Sequence, residues 1–267
     1  MKRIIFDVDN TLLPWKNKYL EAIEDTTREY NLNIDYKKIN EIIEAYENYY
    51  DYYSKENMVN LINNKCNLNL GIDFINCWLD KLEKMADRDD GIIDLLEYLS
   101  TKYELVILTN WFKNNQIERL KHAGIYHFFK KIYAGEETLK PNKQSFLTAI
   151  GNKKPEECII IGDNYEIDIK VAYQLGLRAF LIDANQKYPE SEEYTKINNI
   201  TDLKLNDNNL GNNVASVLLN KTSLIKLNLS STGLVDLSFI SSLNALQELD
   251  IANGSFNNLN AIINLRH

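Results

Sequence analysis

The chain has 267 residues, 45% of them hydrophobic and 25% charged, with a formal net charge of −8 and an isoelectric point near 5.1. This is globular composition without a basic stripe, which argues against nucleic acid as a partner; an anionic ligand needs local positive charge from a metal, a lysine or helix N-termini. No apolar run approaches the ~20 residues of a membrane span, and three scattered cysteines (Cys66, Cys77, Cys158) form neither a disulfide framework nor a zinc site, so reduced thiols in a cytoplasmic protein are expected.

The first element is the apolar run Ile4, Ile5 and Phe6, suited to a strand buried on both faces of a parallel sheet. It begins at the second or third residue, so no signal peptide is expected. It stops at Asp7 and Asp9, with one residue between them. In open α/β sheets the chemistry lies beyond the carboxyl ends of the strands, and two close carboxylates repel unless a cation or a proton joins them. A hard divalent cation such as Mg²⁺ suits such oxygen donors; an acidic turn after a strand is the alternative. Tyr19, Leu20, Ile23, Thr27 and Tyr30 then recur at helical spacing. Asp35 is expected to cap a second helix with Ile39, Ile42, Ile43, Tyr46 and Tyr50 on one face. A short third helix carries Met58, Leu61 and Ile62, and Asp73 is expected to cap a fourth carrying Phe74, Ile75, Trp78, Leu79, Leu82 and Met85. Residues 16–87 thus read as a helical bundle inserted after the first strand. The tyrosines Tyr46, Tyr49, Tyr50, Tyr52 and Tyr53 read as packing residues, with a substrate-facing role for some as the alternative.

From Asp89 onward, helices and strands alternate. Residues 91–100 read as a helix and 104–108 as a strand ending at Thr109-Asn110. A helix over 113–123 ends at Gly124, and a strand follows at 131–134. Lys140-Pro141 is expected to open a helix carrying Phe146, Leu147 and Ile150. Residues 158–161 form a strand ending at Gly162-Asp163, residues 166–175 a helix stopping at Gly176, and residues 178–182 a fifth strand. This alternation implies right-handed βαβ units and a Rossmann-like parallel sheet, with an α/β core of residues 1–15 and 88–185. Such a sheet brings Asp7 and Asp9, Thr109 and Asn110, Lys140, and Asp163 with Asp168 to one edge. Paired carboxylates, a hydroxyl, a lysine and further carboxylates for a cation suit phosphoryl transfer, which needs positioning and charge neutralisation above all. Taken singly, Thr109 is equally a strand-end residue, Lys140 a solvated lysine, and Asp163 and Asp168 helix N-terminal acids.

Four ordered segments resemble the haloacid dehalogenase-like (HAD) hydrolase superfamily. They are Asp7-Val8-Asp9-Asn10-Thr11, Leu108-Thr109-Asn110, Leu139-Lys140-Pro141, and Ile161-Gly162-Asp163 followed by Asp168. The resemblance covers residues 1–182 and implies that the inserted bundle is a helical cap. It implies that Asp7 is the nucleophile that forms an aspartyl-phosphate, and that Asp9 is the general acid and base. Thr109, with the Asn110 backbone N–H, would hold the phosphoryl oxygens, and Lys140 would neutralise the nucleophile and the phosphoryl group. Mg²⁺ would be held by Asp7, the main-chain carbonyl of Asp9 and Asp163, with Asp168 orienting Lys140 or a metal-bound water. Dehalogenases of this family usually lack an acid at the place of Asp9, so the resemblance implies a phosphatase acting on a small phosphorylated metabolite of nucleotide or sugar phosphate type. A phosphomutase and a non-catalytic HAD-like scaffold are the alternatives.

Residues 186–199 are polar and read as a linker. Residues 200–267 then repeat a leucine pattern: Ile200, Leu203, Leu205, Asn208 and Leu210; Leu224, Leu227, Leu229, Thr232 and Leu234; Leu246, Leu249, Ile251, Gly254 and Phe256. The spacings of 24 and 22 residues resemble short leucine-rich repeats, which form a solenoid and bind protein partners. Thr232 and Gly254 depart from the asparagine of the pattern, and an irregular leucine-rich tail is the alternative.

Overall fold

Short runs rich in Ile, Leu and Val build a parallel sheet, because strands buried on both faces need apolar side chains on both. Its strands are β1 (Arg3–Phe6), β2 (Glu104–Leu108), β3 (Lys131–Tyr133), β4 (Cys158–Gly162), β5 (Arg178–Ile182) and β6 (Thr195–Ile197). The computed structural model describes residues 2–89, 91–203, 218, 224–229, 234, 236–251, 256 and 260–263. Every neighbouring pair in the sheet is parallel, in the order β3-β2-β1-β4-β5-β6, with Ile5 paired to Val106 on one side and Ile160 on the other. The strand order reverses at β1, so the crevice between the ends of β1 and β4 is the switch point at which such sheets bind ligands.

Residues 186–199, expected as a linker, instead contain β6, and the compact unit that holds the sheet runs to Ile200. The reason is local: Tyr194 and Ile197 are buried, and the Asp183 backbone N–H donates to Ile197 at 2.8 Å, so a polar segment still supplies the edge strand with its apolar residues.

Four helices separate β1 from the rest of the sheet: α1 (Lys16–Glu29), α2 (Tyr36–Glu44), α3 (Lys55–Cys66) and α4 (Ile72–Glu83). Asp35 caps α2 as expected, accepting from the Lys37 N–H at 2.9 Å, whereas the N-cap of α4 is Gly71, with Asp73 in the first turn. The insertion has a core of its own, in which Tyr19, Ile23, Ile39, Ile43, Phe74, Trp78 and Leu82 are buried together. Trp111 and Phe112, from the loop after β2, are buried in that same core, and this ties the insertion to the sheet. Tyr46 and Tyr53 are packing residues stacked at 4.7 Å, while Tyr49 and Tyr52 are more than half exposed.

The remaining helices are α5 (Ile92–Ser100), α6 (Lys113–His122), α7 (Lys143–Ile150) and α8 (Lys170–Gln174). Helix α7 starts later than expected. Lys140-Pro141 is a cis peptide in the preceding loop, and Asn142 is the N-cap, accepting from the Gln144 N–H at 2.9 Å. The helix expected over 166–175 begins as a π-helical turn, Tyr165–Ile169, capped by the Asn164 side chain. Such turns recur at functional sites, because the extra residue re-aims a side chain; here the turn contains Asp168.

Residues 201–267 form a second compact unit. Its strands β7 (Lys226–Asn228) and β8 (Glu248–Asp250) pair in parallel with Leu227 opposite Leu249, and Leu229, Leu234, Leu237, Ile240, Leu243 and Leu246 are buried. The repeat positions Leu205, Asn208, Leu210, Thr232 and Gly254 lie outside the described residues. Among the described residues no helix is long and apolar enough to cross a membrane.

Candidate active site

Each strand end delivers a polar group to the carboxyl edge of the sheet. Asp7 follows β1, and its backbone N–H still donates to Ile161 of β4 at 2.9 Å. Asp163 follows β4, so the two carboxylates flank the switch point. Asn10 adopts the left-handed conformation at φ 57, which asparagine tolerates, and its Nδ2 donates to Asp163 Oδ2 at 3.3 Å.

Lys140 is 2% exposed, and its Nζ donates to Asp7 Oδ1 at 2.7 Å and to Asp168 Oδ1 at 2.5 Å. Burial opposes its charge, but Asp168 and Asp7 hold its pKa above the ordinary lysine value. Asn110 braces the loop that carries it: Asn110 Oδ1 accepts from the Lys140 N–H and Asn110 Nδ2 donates to the Lys140 carbonyl, both at 2.7 Å. The second oxygen of Asp168 accepts from the Asn164 N–H at 3.1 Å. Asp168 approaches β4 so closely that a Cβ at Gly162 would lie 2.5 Å from its side chain, which is why glycine ends that strand.

Oxygens of Asp7, Asp163 and Asp168 lie within 4.8 Å of one another, a set of hard donors suited to a divalent cation. Burial pushes the Asp7 carboxyl well above the usual range, against the pull of Lys140 and with the help of the neighbouring carboxylates. Burial and Asp168 together push Asp163 up to about 6. Concentrated negative charge of this kind is relieved by a cation. The Asp9 carboxylate is not in this cluster; it was expected to contribute its main-chain carbonyl. Asp168, expected behind the ligands, has an oxygen within this cluster and lies against Lys140 at once.

Asp9 is held differently. Arg119 Nη1 donates to its Oδ1 at 2.6 Å and Gln116 Nε2 to its Oδ2 at 2.8 Å. The same Gln116 nitrogen lies 3.0 Å from Thr109 Oγ1, so one amide joins the Asp9 carboxylate to the Thr109 hydroxyl. Arg119 is 1% exposed and also touches the Tyr19 hydroxyl at 3.1 Å; burial opposes its charge, but Asp9 and Tyr19 hold its pKa above the ordinary value.

A cavity of about 290 Å³ opens over this edge, and Asp7, Asp9, Thr109, Asn110, Lys140, Asp163 and Asp168 all line it. Its other wall is Trp15 and, from the insertion, Ile43, Glu44, Glu47 and Tyr53. Glu47 Oε1 accepts from the Tyr53 hydroxyl and Oε2 from Asn110 Nδ2, both at 3.0 Å. The Tyr53 backbone N–H donates to the Gly135 carbonyl at 2.9 Å, and a Cβ at Gly135 would lie 2.5 Å from the Tyr53 ring, so that glycine permits the insertion to dock.

Sequence reading missed Gln116, Arg119 and Glu47. The first two carried a signal: polar residues three apart on the same side of α6 as Leu120, which is buried with them. Glu47 carried none, because only the docking of the insertion brings it to Asn110.

The fold and the site define a hydrolase: a doubly wound parallel sheet with a lysine clamped between carboxylates at its switch point. The pattern of the haloacid dehalogenase-like hydrolases matches residues 4–182, and the chain belongs to that family. The HAD-hydrolase YfnB of Bacillus subtilis is 28% identical over 205 residues, which cover 70% of this chain and 87% of that protein. Its crystal structure, bound to magnesium, has a TM-score of 0.61 and 25% identity, and the match covers 74% of this chain and 95% of that one. The glyceraldehyde 3-phosphate phosphatase of Methanopyrus kandleri is 27% identical over 66% of this chain and 82% of its own length. The phosphoserine phosphatase of Thermus thermophilus is 34% identical over a shorter stretch, 38% of this chain and 41% of its own.

Proposed function

We propose that the chain is a Mg²⁺-dependent phosphatase of small nucleotide- or sugar-type phosphate monoesters, working through an aspartyl-phosphate on Asp7. The observation that carries this reading is Lys140, buried and ion-paired at once to Asp7 and Asp168 at the foot of the cavity. A lysine in that place keeps the nucleophile ionised and aligned, and neutralises a phosphoryl group brought against it.

Asp7 attacks phosphorus, and the bond to the leaving alcohol breaks. Asp9 gives the departing oxygen a proton and later takes one from the water that cleaves the acyl phosphate. Thr109 and the Asn110 N–H serve the phosphoryl oxygens, and Gln116 keeps Thr109 and Asp9 in register. Asp7, Asp163 and the main-chain carbonyl of Asp9 would hold Mg²⁺, with Asp168 beside them, and the bound ion supplies further charge neutralisation. The magnesium bound by the Bacillus subtilis relative and the carboxylate cluster support that choice.

Phosphate release from nucleoside monophosphates, sugar phosphates and p-nitrophenyl phosphate tests the reading. Release that requires Mg²⁺ and stops on chelation is expected; no release from any of them by folded protein overturns it.

The Asp163 carboxyl gives a pH dependence. Its pKa is raised to about 6, above the ordinary aspartate value, so its contribution to stability is present at low pH and is lost as pH rises through about 6. Mg²⁺ competes with that proton. Excess Mg²⁺ is therefore expected to raise Tm clearly at about pH 7.5 and little at about pH 5. An equal rise at both, by differential scanning calorimetry, would separate the metal from this carboxylate.

We read residues 16–87 as the cap, and residues 201–267 as a leucine-rich-repeat module for a protein partner. The parallel, in-register pair β7 and β8, 22 residues apart, and the buried leucines between them support the repeat. Every described residue lining the cavity lies before position 200, so a chain ending at Ile200 is expected to keep its kcat on p-nitrophenyl phosphate within about twofold. The free thiols Cys66, Cys77 and Cys158 support a cytoplasmic location.

A further inference from the structure

The proposed chemistry uses the sheet edge and leaves the wall that the insertion contributes without a role. That wall carries charge of one sign. Among the described residues lining the cavity, six are carboxylates (Asp7, Asp9, Glu44, Glu47, Asp163 and Asp168), and the single cation is Lys140. Lys140 is already committed to Asp7 and Asp168, and Arg119, the nearby buried guanidinium, is committed to Asp9 and does not line the cavity. Even a bound divalent cation leaves the lining negative.

Glu47 is the member of this set placed to meet the leaving group. Its two oxygens are fixed by donors, the Tyr53 hydroxyl and Asn110 Nδ2, each at 3.0 Å. Asn110 directly follows Thr109, so Glu47 is anchored one residue from the expected phosphoryl contact, on the wall opposite the sheet. A carboxylate has about four acceptor positions, and two of Glu47's remain for a substrate. The turn beneath it is rigid: the Tyr46 hydroxyl donates to the Tyr52 carbonyl at 2.9 Å and accepts from the Ser54 N–H at 3.0 Å. A carboxylate pinned in this way cannot swing aside from a like charge.

We propose that Glu47 is the charge filter of this site, and that the substrate is the phosphate monoester of a hydroxyl-bearing alcohol without negative charge, not of a hydroxy acid and not a bisphosphate. The filter works by repulsion: a second anion on the alcohol meets Glu47 and Glu44, and among the described lining residues the one cation, Lys140, is already paired. Hydroxyl groups instead donate to Glu47. This inference rests on the phosphatase reading and narrows its substrate.

The test compares two substrates of one skeleton, glycerol 3-phosphate and glycerate 3-phosphate, which differ by a hydroxymethyl against a carboxylate. kcat/KM is measured for both with excess Mg²⁺, on the full chain and on Glu47→Gln, beside p-nitrophenyl phosphate. The full chain is expected to prefer glycerol 3-phosphate by about tenfold or more. Glu47→Gln keeps the shape and removes the charge, and is expected to narrow that ratio at least about threefold through an absolute rise on glycerate 3-phosphate, a gain that damage to the fold does not produce. Equal use of the two substrates by the full chain, or an unchanged ratio in the variant, overturns the filter. Failure of the full chain to release phosphate even from p-nitrophenyl phosphate overturns the phosphatase reading and the filter with it, and is a distinct result.

Discussion

Asp7→Asn is expected to lower phosphate release by at least about 10⁴-fold while the protein stays folded. An amide cannot form the acyl phosphate, and removal of a nucleophile is among the costliest single changes to an enzyme. The fold should tolerate it for a specific reason. Burial and three neighbouring carboxylates press the Asp7 carboxyl toward its neutral form, and asparagine has the shape of that form without the charge. The amide oxygen can still accept from Lys140 Nζ, which lies 2.7 Å from Asp7 Oδ1. Without metal at neutral pH, the Tm of the variant should equal or exceed that of the parent. Residual turnover near the parental rate, at an equal Tm, would sink the assignment of Asp7 as nucleophile.

Lys140→Met is expected to be damaging in two measurable ways. Methionine fills most of the volume but leaves Asp7 and Asp168, 6% and 1% exposed, without their shared cation. Breaking a buried ion pair by removing one partner costs about 3–5 kcal/mol. That loss should appear in urea unfolding at about pH 7.5 and shrink at about pH 5. Lys140 lowers the pKa of both Asp7 and Asp163, so without it these raised carboxyls take up protons still more readily and relieve the repulsion. Turnover should fall by about 10²–10³-fold beyond any loss of folded protein, since a preorganised charge at the phosphoryl group is gone. Full activity in the variant would show that Lys140 serves structure alone.

The parallel sheet was legible because its strands have strong local signals. Ile4-Ile5-Phe6, Leu105-Val106-Ile107-Leu108 and Ile159-Ile160-Ile161 are apolar runs bounded by polar or glycine residues, and each is a strand. The edge strand β6 was not legible, since two of the three residues of Thr195–Ile197 are polar and it is a strand only because β5 offers it a ladder. Helix starts followed the same division. Asp35 caps α2 through a bond to its own neighbours, whereas the loop at Lys140-Pro141 is shaped by Asn110, 30 residues earlier in the chain.

The site divides along the same line. Local pattern is enough to gather Asp7, Thr109 and Asp163 at the carboxyl edge, because a parallel sheet aligns its strand ends and each of the three directly follows one, whereas Lys140 comes from the loop beyond β3 that Asn110 braces. The tertiary structure alone decided how they are partnered. Asp168 reaches Lys140 because a π-helical turn and Gly162 allow the approach; Asp9 lies under Arg119 and Gln116 because the packing of α6 carries both side chains to it; Glu47 enters the cavity because the insertion docks through Tyr53 on Gly135. Strand ends are read from local pattern, but a side-chain hydrogen bond or ion pair between residues 28 to 110 positions apart depends on packing that no local pattern encodes.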